Sequence, residues 1–374
     1  MRIDRIVVRE LRMPLREGFE TSFGRIRTRE MLIVALFSEG LTGWGEAPVA
    51  LRPHFSEETT ATARHVLRDF IGPAIVGAEL GSVAQLLARF AWVRGHRMAR
   101  AAVEAAFRDL LARRDGRSLA SSLGAERDRI PVGVSLGIPE GAEVPRLLAE
   151  VERRIEEGYC RVKVKIRPGF DTEPLERLRM RFPALDVAAD ANGAYRLEDY
   201  PRLQALDEAR LLFLEQPLGP DDLCEHARLR SLIRTPVCLD ESLKTACDVQ
   251  AALALEACAV VNLKPARVGG IAAALAVHDI CRRKEVPLFC GGMLETGIGR
   301  AHNVALAALD GFTLAGDLSA SDRYYAEDLV EPPFRLGPGG TLEVPRGPGI
   351  GVEVVSERLA RATVALDEIA PGAV

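Results

Sequence analysis

The sequence has few aromatic residues, little net charge and no long hydrophobic run. Of its 374 residues, 13 are Phe, 5 are Tyr and 2 are Trp, which disfavours a surface that stacks on nucleic-acid bases. The formal net charge is −4, so no excess of positive charge exists to attract a nucleic acid or an anionic membrane. The apolar segments are interrupted before they reach the roughly 18 residues that a membrane-spanning helix needs. We therefore expect neither a nucleic-acid partner nor a membrane partner.

Cysteine pairs at metal-binding or redox spacing are also missing. The seven cysteines all lie at or after Cys160, and no two of them are separated by two residues. An odd number of scattered cysteines is typical of reduced thiols in a reducing compartment. The first fifteen residues have charges between their apolar pairs and no apolar run of signal-peptide length. We therefore expect no secretory signal and a cytoplasmic protein.

The chain is long enough for two or three domains, and its first part has a mixed pattern. Residues 3–8 and 31–37 are β-branched runs that predict strands, and residues 56–71, 83–93 and 99–113 have apolar positions at the three- and four-residue steps of helices. We predict that residues 1–125 form a separate N-terminal α+β domain.

Residues 126–320 follow another pattern, in which short aliphatic runs alternate with loops and helical stretches. Eight such runs occur, at residues 131–136, 161–166, 185–189, 211–214, 236–239, 259–263, 286–289 and 312–315. Strands that alternate with helices at this spacing are typical of parallel βαβ units. Eight units predict a (β/α)8 TIM-type barrel, although an open doubly wound sheet would share the pattern. Residues 321–374 are rich in Pro and Gly at their start, and we predict that they pack back on the N-terminal domain.

Carboxylates stand directly after three consecutive predicted strands. Asp190, Glu215 and Asp240 are spaced 25 residues apart, so each occupies the equivalent point of its βα unit, where barrel enzymes place their catalytic residues. Three converging carboxylates would repel one another unless a cation lay between them. Oxygen ligands without His or Cys favour Mg²⁺, or Mn²⁺ as a substitute, over Zn²⁺. The alternative is that each acid merely caps the following helix.

Two lysines flank these acids. Lys165 ends the second predicted strand and Lys264 ends the sixth, so we expect them on opposite sides of the barrel axis. A substrate carboxylate chelated by the metal would have its α-proton within reach of either lysine, and the cation would stabilise the enediolate formed when that proton leaves. A lysine acts as a base only when its pKa falls from about 10.4. Lys163, on the same strand face as Lys165, is predicted to supply the neighbouring charge that lowers it.

These motifs resemble those of the muconate-lactonizing-enzyme subgroup of the enolase superfamily, over nearly the whole chain. The resemblance is carried by GWGE at 43–46, AAVEAA at 101–106, KVK at 163–165, DANG at 190–193, EQP at 215–217, DES at 240–242 and NLKP at 262–265. It implies an α/β protein with a TIM-type barrel at 126–320 and an α+β capping domain formed by residues 1–125 and the returning segment 321–374. Sites of this superfamily use a Lys or His base with Mg²⁺.

The resemblance also implies roles for individual residues. Asp190, Glu215 and Asp240 match the metal ligands, Lys165 and Lys264 match the acid/base pair, and Lys163 matches an auxiliary catalytic lysine. Residues 290–303 and 311–325 are similar to o-succinylbenzoate synthases that also racemise N-succinylamino acids. This implies a small-molecule carboxylate substrate, a homo-oligomer, and either a dehydration in menaquinone biosynthesis or a racemisation. Substrate-binding roles are implied for Ser135, Asn192, Arg267, Gly291, Gly292, Met293, Leu294, Phe19 and Phe23.

Three alternatives remain open. Dipeptide epimerases usually carry an Asp-x-Asp motif after the eighth strand, where this chain has Gly316–Ser319, and sugar-acid dehydratases commonly place His at the seventh strand, where this chain has Gly291 and Gly292. Both differences weigh against those activities. The third alternative is a catalytically silent scaffold or binding protein on the same barrel, against which the retention of all the ligands and both lysines argues.

Overall fold

The structure, a computed structural model, describes residues 1–21 and 24–372. Its N-terminal part is an antiparallel sheet of three consecutive strands, and the C-terminal strand β15 (Thr363–Ile369) is added at the edge next to the first of them. The first three strands are β1 (Arg5–Thr21), β2 (Gly24–Ser38) and β3 (Leu41–Ala47), and helices follow: α1 (Thr60–Val66), a π-helical turn (Leu67–Ile71), α2 (Gly72–Ile75), α3 (Val83–Arg89), α4 (Arg97–Arg114) and α5 (Leu119–Ser122). Phe23, one of the predicted substrate-binding residues, lies outside the described residues.

Small residues allow the sheet to pack tightly on α4. A Cβ atom on Gly43 would overlap the carbonyl oxygen of Ala106, and one on Gly45 would overlap that of Ala102. The GWGE and AAVEAA motifs therefore meet at an interface that no larger side chain could enter. At the same interface the Asp109 carboxylate accepts a hydrogen bond of 2.9 Å from the backbone N–H of Trp44.

The central part of the chain is a seven-stranded parallel sheet in sequential order. Its strands are β5 (Val134–Leu136), β6 (Arg161–Lys165), β7 (Asp186–Asp190), β8 (Leu214–Glu215), β9 (Val237–Leu239), β10 (Val260–Leu263) and β11 (Leu288–Cys290). The helices between and after them are α6 (Val144–Glu156), α7 (Thr172–Arg181), α8 (Tyr200–Ala205), α9 (Leu223–Leu232), α10 (Ala246–Ala254), α11 (Pro265–Val268), α12 (Ile271–Arg283) and α13 (Gly297–Ala307). The prediction of consecutive parallel βα units therefore holds for seven strands.

The eighth predicted strand, residues 312–315, is not a regular strand in the described chain. The backbone of Thr313 and Asp317 donates hydrogen bonds of 3.0 and 2.9 Å to carbonyls of β11, and Gly316 exchanges two hydrogen bonds with residues 131 and 133 ahead of β5. Glycines at 311 and 316 bound the segment, and glycine weakens a strand because it contributes no packing side chain. The segment therefore hydrogen-bonds to both edges of the sheet without forming a regular ladder.

The C-terminal segment contacts both parts of the protein. The short strand β4 (Arg129–Pro131) pairs with β13 (Thr341–Glu343), and β12 (Val330–Glu331) pairs with β14 (Glu353–Val354). After α14 (Ser356–Ala362), strand β15 (Thr363–Ile369) pairs antiparallel with β1 and becomes the edge of the N-terminal sheet. Only the last strand of the segment thus joins that sheet. The domain boundaries at 125 and 320 stay a prediction.

Alternation along β6 places charge inside the parallel sheet. Val162 and Val164 belong to the large apolar core under the helices, so Arg161, Lys163 and Lys165 point to the opposite face. All three charged side chains are nonetheless buried. In the described part of the chain, no helix has both the length and the apolar character needed to cross a membrane.

Candidate active site

The strand register places the predicted ligand carboxylates side by side. Lys165 pairs with Asp190 across β6 and β7, and Asp190 pairs with Glu215 across β7 and β8. Asp240 follows the last residue of β9. The three carboxylates expose 1%, 0% and 0% of their surface. They therefore form one buried acidic cluster at the carboxyl ends of three neighbouring strands.

Lys163 lies within this cluster. Its Nζ is 2.7 Å from Glu215, 3.2 Å from Asp190 and 2.5 Å from Asp317. Burial by itself would lower the pKa of Lys163, but the charges of Asp317, Glu215 and Asp190 outweigh it and hold the pKa well above its usual value. Lys163 is thus a buried cation paired with three acids.

The two predicted acid/base lysines lie at opposite ends of the acidic cluster. Lys165 Nζ donates to Asp190 at 2.6 Å, and Lys264 Nζ donates to Asp240 at 2.7 Å. Among the described residues, no three His, Cys, Asp or Glu side chains are arranged to hold a metal ion. That Asp190, Glu215 and Asp240 are metal ligands therefore stays a prediction.

The donor set itself fits a hard divalent cation. Burial, followed by the negative charge of Asp190, raises the pKa of Glu215 to about 8, and Asp240 adds to the effect. The contributions of Asp190 and Asp240 reflect repulsion between neighbouring acids, which a dication would relieve. One further carboxylate oxygen, Oε2 of Glu241, is buried and has no hydrogen-bond partner among the described residues. Oxygen donors of this kind suit Mg²⁺.

Asn192 connects the Lys165 end of the cluster to the strand-end acids. Its backbone has φ of +45°, a conformation that Asn tolerates better than most residues. Its side-chain oxygen accepts a hydrogen bond of 2.7 Å from Lys165 Nζ, and its amide donates to Glu241 at 2.8 Å. Two acceptors, Asp190 and Asn192, therefore fix the Lys165 ammonium.

Arg267 and Phe55 enclose the Lys264 end. Arg267, in α11, forms a buried ion pair with Asp240. The Phe55 ring lies 4.7 Å from Lys264 Nζ and 4.4 Å from the Arg267 guanidinium, measured to the ring centroid. Burial opposes ionisation of Asp240, but Arg267 and Lys264 outweigh it and lower the pKa of Asp240. An aromatic side chain from the loop between β3 and α1 thus covers both cations through cation–π contacts.

The loop after β11 comes close to Lys264. A Cβ on Gly291 would overlap the Asn262 side-chain oxygen and lie 2.8 Å from Lys264 Cε, and a Cβ on Gly292 would lie 2.6 Å from the Asp317 carbonyl oxygen. Asn262 also donates a hydrogen bond of 2.9 Å to Glu215. The two glycines therefore let the loop backbone lie directly against the site.

Met293 and Leu294 are held by contacts from two directions. The Met293 carbonyl accepts a hydrogen bond of 3.3 Å from the buried guanidinium of Arg29 in β2, and the Leu294 carbonyl accepts one of 2.6 Å from the Tyr325 hydroxyl. Met293 packs in the apolar core of the N-terminal domain. The loop that follows β11 is thereby joined to that domain.

Ser135 and Phe19 lie near β5, the edge strand of the parallel sheet opposite β11. Ser135 in β5 is in register with Lys163 and is buried. Phe19 is buried on β1 and pairs with Ile26. The carbonyl oxygen of the next residue, Glu20, accepts a hydrogen bond from the backbone N–H of Ile138, just after β5. The β1–β2 hairpin therefore reaches the end of β5.

Asp317 and Arg161 belong to the site but were not predicted. Asp317 accepts hydrogen bonds from Lys163 and, at 2.5 Å, from Arg161. Burial opposes ionisation of Asp317, but Lys163 and Arg161 outweigh it and hold the pKa of that carboxyl below its usual range. Asp317 lies in the sequence GDLS at 316–319, which differs from the Asp-x-Asp motif of dipeptide epimerases. That difference by itself gives no role to Asp317. The alternation of basic residues in RVKVK is a signal from which Arg161 could have been predicted.

Two family profiles match most of the chain. The profile described as "Mandelate racemase / muconate lactonizing enzyme, N-terminal domain" matches residues 3–124, and that described as "Enolase C-terminal domain-like" matches residues 146–358. Among curated relatives, an o-succinylbenzoate synthase from Geobacillus kaustophilus is 44% identical over 362 residues, covering 96% of each chain. An N-succinylamino acid racemase from Amycolatopsis is 46% identical over 369 residues, covering 98% of each chain.

A solved structure shares the whole fold. An enolase-superfamily protein from Listeria innocua superimposes with a TM-score of 0.94 at 39% identity, covering 99% of each chain. Sequence and structure comparisons thus cover both the N-terminal sheet and the parallel sheet that carries the acidic cluster.

Proposed function

Because the chain belongs to the mandelate racemase/muconate lactonizing enzyme family of the enolase superfamily, we propose that it removes the α-proton of a small carboxylate substrate. The proposed reactions are dehydration to o-succinylbenzoate, racemisation of N-succinylamino acids, or both. The observation that carries the proposal is the buried cluster of three strand-end acids with a lysine at either end. Full-length similarity to relatives named for these two activities supports it.

Asp190, Glu215 and Asp240 would hold the divalent cation on which enzymes of this family generally depend. We propose Mg²⁺, with Mn²⁺ as a substitute, since all the donors are carboxylate oxygens. The bound cation would supply stabilisation of the negative charge that a carboxylate gains when its α-carbon loses a proton. The binding of that cation requires Lys163, Lys165 and Lys264 to release some of their present carboxylate contacts.

Lys165 and Lys264 would act on opposite faces of the substrate. In racemisation, one lysine acts as the neutral amine and takes the α-proton. The other lysine acts as the ammonium and delivers a proton to the opposite face. In dehydration, Lys165 takes the proton and returns it to the departing hydroxyl on the same face, while Lys264 stays protonated as a cation. Arg267 and Phe55, which both contact the Lys264 end, would hold that lysine in place.

The residues around this cluster would form the substrate pocket. We propose that Ser135, Asn192, Gly291, Gly292, Met293 and Leu294 contact the substrate carboxylate and acyl chain, and that Phe19 and Phe23 line the distal end. Arg267 would act through Lys264. A dipeptide epimerase is disfavoured because the one acid at the corresponding position, Asp317, is bonded to Arg161 and Lys163 and is not free to bind a substrate amine.

The wider architecture follows from the same family membership. We propose that residues 312–317 complete a closed (β/α)8 barrel, since their backbone hydrogen-bonds to both edges of the seven-stranded sheet. Residues 1–125 with the returning segment 321–374 would form the capping domain. We further propose a homo-oligomer that acts in the cytoplasm; the seven free cysteines suit a reducing compartment.

The proposed function is tested by supplying substrates to the purified protein with Mg²⁺. The cyclohexadiene precursor of o-succinylbenzoate would report dehydration as a loss of ultraviolet absorbance, and a panel of N-succinylamino acids would report racemisation by optical rotation. Proton exchange in deuterated water, followed by NMR, detects α-proton removal even when turnover is slow. Lys165→Ala/Lys264→Ala is the matched control. If the wild-type protein shows neither reaction nor exchange, the proposal is wrong and a scaffold or binding role takes its place.

A further inference from the structure

Lys163 has three carboxylate acceptors, and one of them is not a proposed metal ligand. Its Nζ lies 2.5 Å from Asp317, 2.7 Å from Glu215 and 3.2 Å from Asp190. The ammonium, which has only three protons to donate, forms a hydrogen bond with Glu215 and ion pairs with the other two. When Glu215 and Asp190 bind a cation, Asp317 is the acceptor that stays available.

Asp317 is held in place from its other side. Its Oδ1 accepts a hydrogen bond of 2.5 Å from Arg161, while its Oδ2 faces Lys163. Arg161 and Lys163 are both 3% exposed and lie over the Phe289 ring, at 5.6 and 5.8 Å from its centroid. The Asp317 carboxylate is therefore held between two buried cations.

We propose that Asp317 is a positioning residue for Lys163: it retains the ammonium when Asp190 and Glu215 coordinate a divalent cation, and it thereby sets the affinity of the site for that cation. This inference rests on the proposed function, because it assumes that Asp190 and Glu215 are ligands. Without Asp317, Lys163 has only the two ligand carboxylates as acceptors and competes with the cation for them.

The formal charges of the buried site support this role. Five acids and five bases are buried together, so their formal charges cancel: Asp190, Glu215, Asp240, Glu241 and Asp317 against Arg161, Lys163, Lys165, Lys264 and Arg267. Loss of the Asp317 charge would leave the site with an excess positive charge before the dication arrives. A buried cation without a counter-ion is strongly unfavourable. The nearest remaining carboxylates for Lys163 are the proposed ligands Glu215 and Asp190.

The test is a double-mutant cycle on metal binding, measured by isothermal titration calorimetry with MgCl2 alone. Asp317→Asn is expected to raise the Mg²⁺ dissociation constant at least tenfold. In a Lys163→Met background, where no ammonium competes, the same change is expected to raise it less than threefold. An equal factor in both backgrounds, or no effect of Asp317→Asn on a wild-type protein that binds Mg²⁺, would overturn the inference.

A second variant keeps the test decisive if Asp317→Asn does not fold. Arg161→Met/Asp317→Asn removes one buried charge of each sign, a change that proteins often tolerate, and it leaves Lys163 equally without its third carboxylate, since the Asn oxygen carries no charge. The same tenfold loss and the same dependence on Lys163 are expected. A wild-type protein that binds no Mg²⁺ and exchanges no α-proton would instead reject the proposed function, which separates the two failures.

Discussion

The Glu46 carboxylate accepts a hydrogen bond of 2.6 Å from the Thr296 hydroxyl and so joins the N-terminal sheet to the start of α13. The backbone N–H groups of Thr296 and Gly299 donate to the same carboxylate at 3.2 and 3.0 Å. Glu46, at the end of β3 in the N-terminal sheet, therefore accepts hydrogen bonds from the free N–H groups at the start of α13. The loop 291–294, which lies against Lys264, leads directly into this helix.

The stability of the protein is predicted to depend on pH through Glu46. Burial, and then the charge of Glu295, raise the pKa of Glu46 from about 4.5 to about 8. Between these values the folded protein binds the proton more tightly than the unfolded chain, so the free energy of unfolding falls as the pH rises. Glu46→Gln is expected to flatten this fall by up to about 1.4 kcal/mol per pH unit. Urea unfolding at pH 5, 6, 7 and 8 measures it.

Asp69→Asn is the matched control for Glu46→Gln. Asp69 is paired with Arg68, its pKa is lowered to about 2, and it stays ionised in folded and unfolded chains across pH 5 to 8. The control is therefore expected to keep the wild-type slope. A Glu46→Gln protein with the wild-type slope would show that Glu46 is ionised in the folded state.

Each single lysine variant is predicted to lose racemisation but not all proton exchange. Lys165 and Lys264 contact different acids, Asp190 and Asp240, so each would serve one enantiomer. Lys165→Ala and Lys264→Ala are each expected to reduce racemisation by about 100- to 10,000-fold, the range of a lost general base. Each variant should still exchange the α-proton of the opposite enantiomer, followed by NMR in deuterated water.

Lys165→Ala is also expected to abolish dehydration, since that lysine takes and returns the proton. The matched control is Lys284→Ala, which removes an exposed lysine after α12 and should leave both rates unchanged. Racemisation at the wild-type rate in either site variant would contradict the two-base scheme.

Gly291→Ala is predicted to reduce turnover more than stability. The new Cβ would overlap the Asn262 oxygen and crowd Lys264 Cε, so the lysine stem must shift. A displacement of about 1 Å in a catalytic group can cost roughly 100-fold in rate, and we expect a loss of that order in kcat. Gly219→Ala is the control, because its Cβ would meet no atom within 4 Å. A Gly291→Ala enzyme with wild-type kcat would show that Lys264 has room to move without consequence.

Much of the site could be predicted because its residues recur at the same point of successive βα units. The equal spacing of Asp190, Glu215 and Asp240 places them at equivalent points of neighbouring strands, and the register of β6 to β8 brings the first two side by side. Such regularity depends only on local sequence and on the parallel arrangement. The positions of Lys165 and Lys264 at either end of the acids follow from the same rule.

Residues that reach the site from irregular or distant segments could not be predicted in the same way. Asp317 comes two residues after segment 312–315, which was expected to be an eighth strand but has only scattered backbone hydrogen bonds, so the inward position of Asp317 has no periodic signal. Phe55 covers Lys264 from a loop more than 200 residues earlier in the sequence, and nothing local specifies that contact. The lysine contacts that occupy the acids are likewise a result of side-chain packing.

Magnesium is predicted to stabilise the folded protein through the acidic cluster. A ligand that binds only the folded state at 100 times its dissociation constant adds about 2.7 kcal/mol to the free energy of unfolding, so MgCl2 should raise the midpoint of thermal unfolding and EDTA should reverse the rise. Glu215→Gln is expected to lose most of this shift, because a proposed ligand charge is gone. Glu343→Gln, at an exposed ion pair with Arg129, should keep the shift in full. Equal shifts in the two variants would mean that Mg²⁺ binds elsewhere than at Glu215.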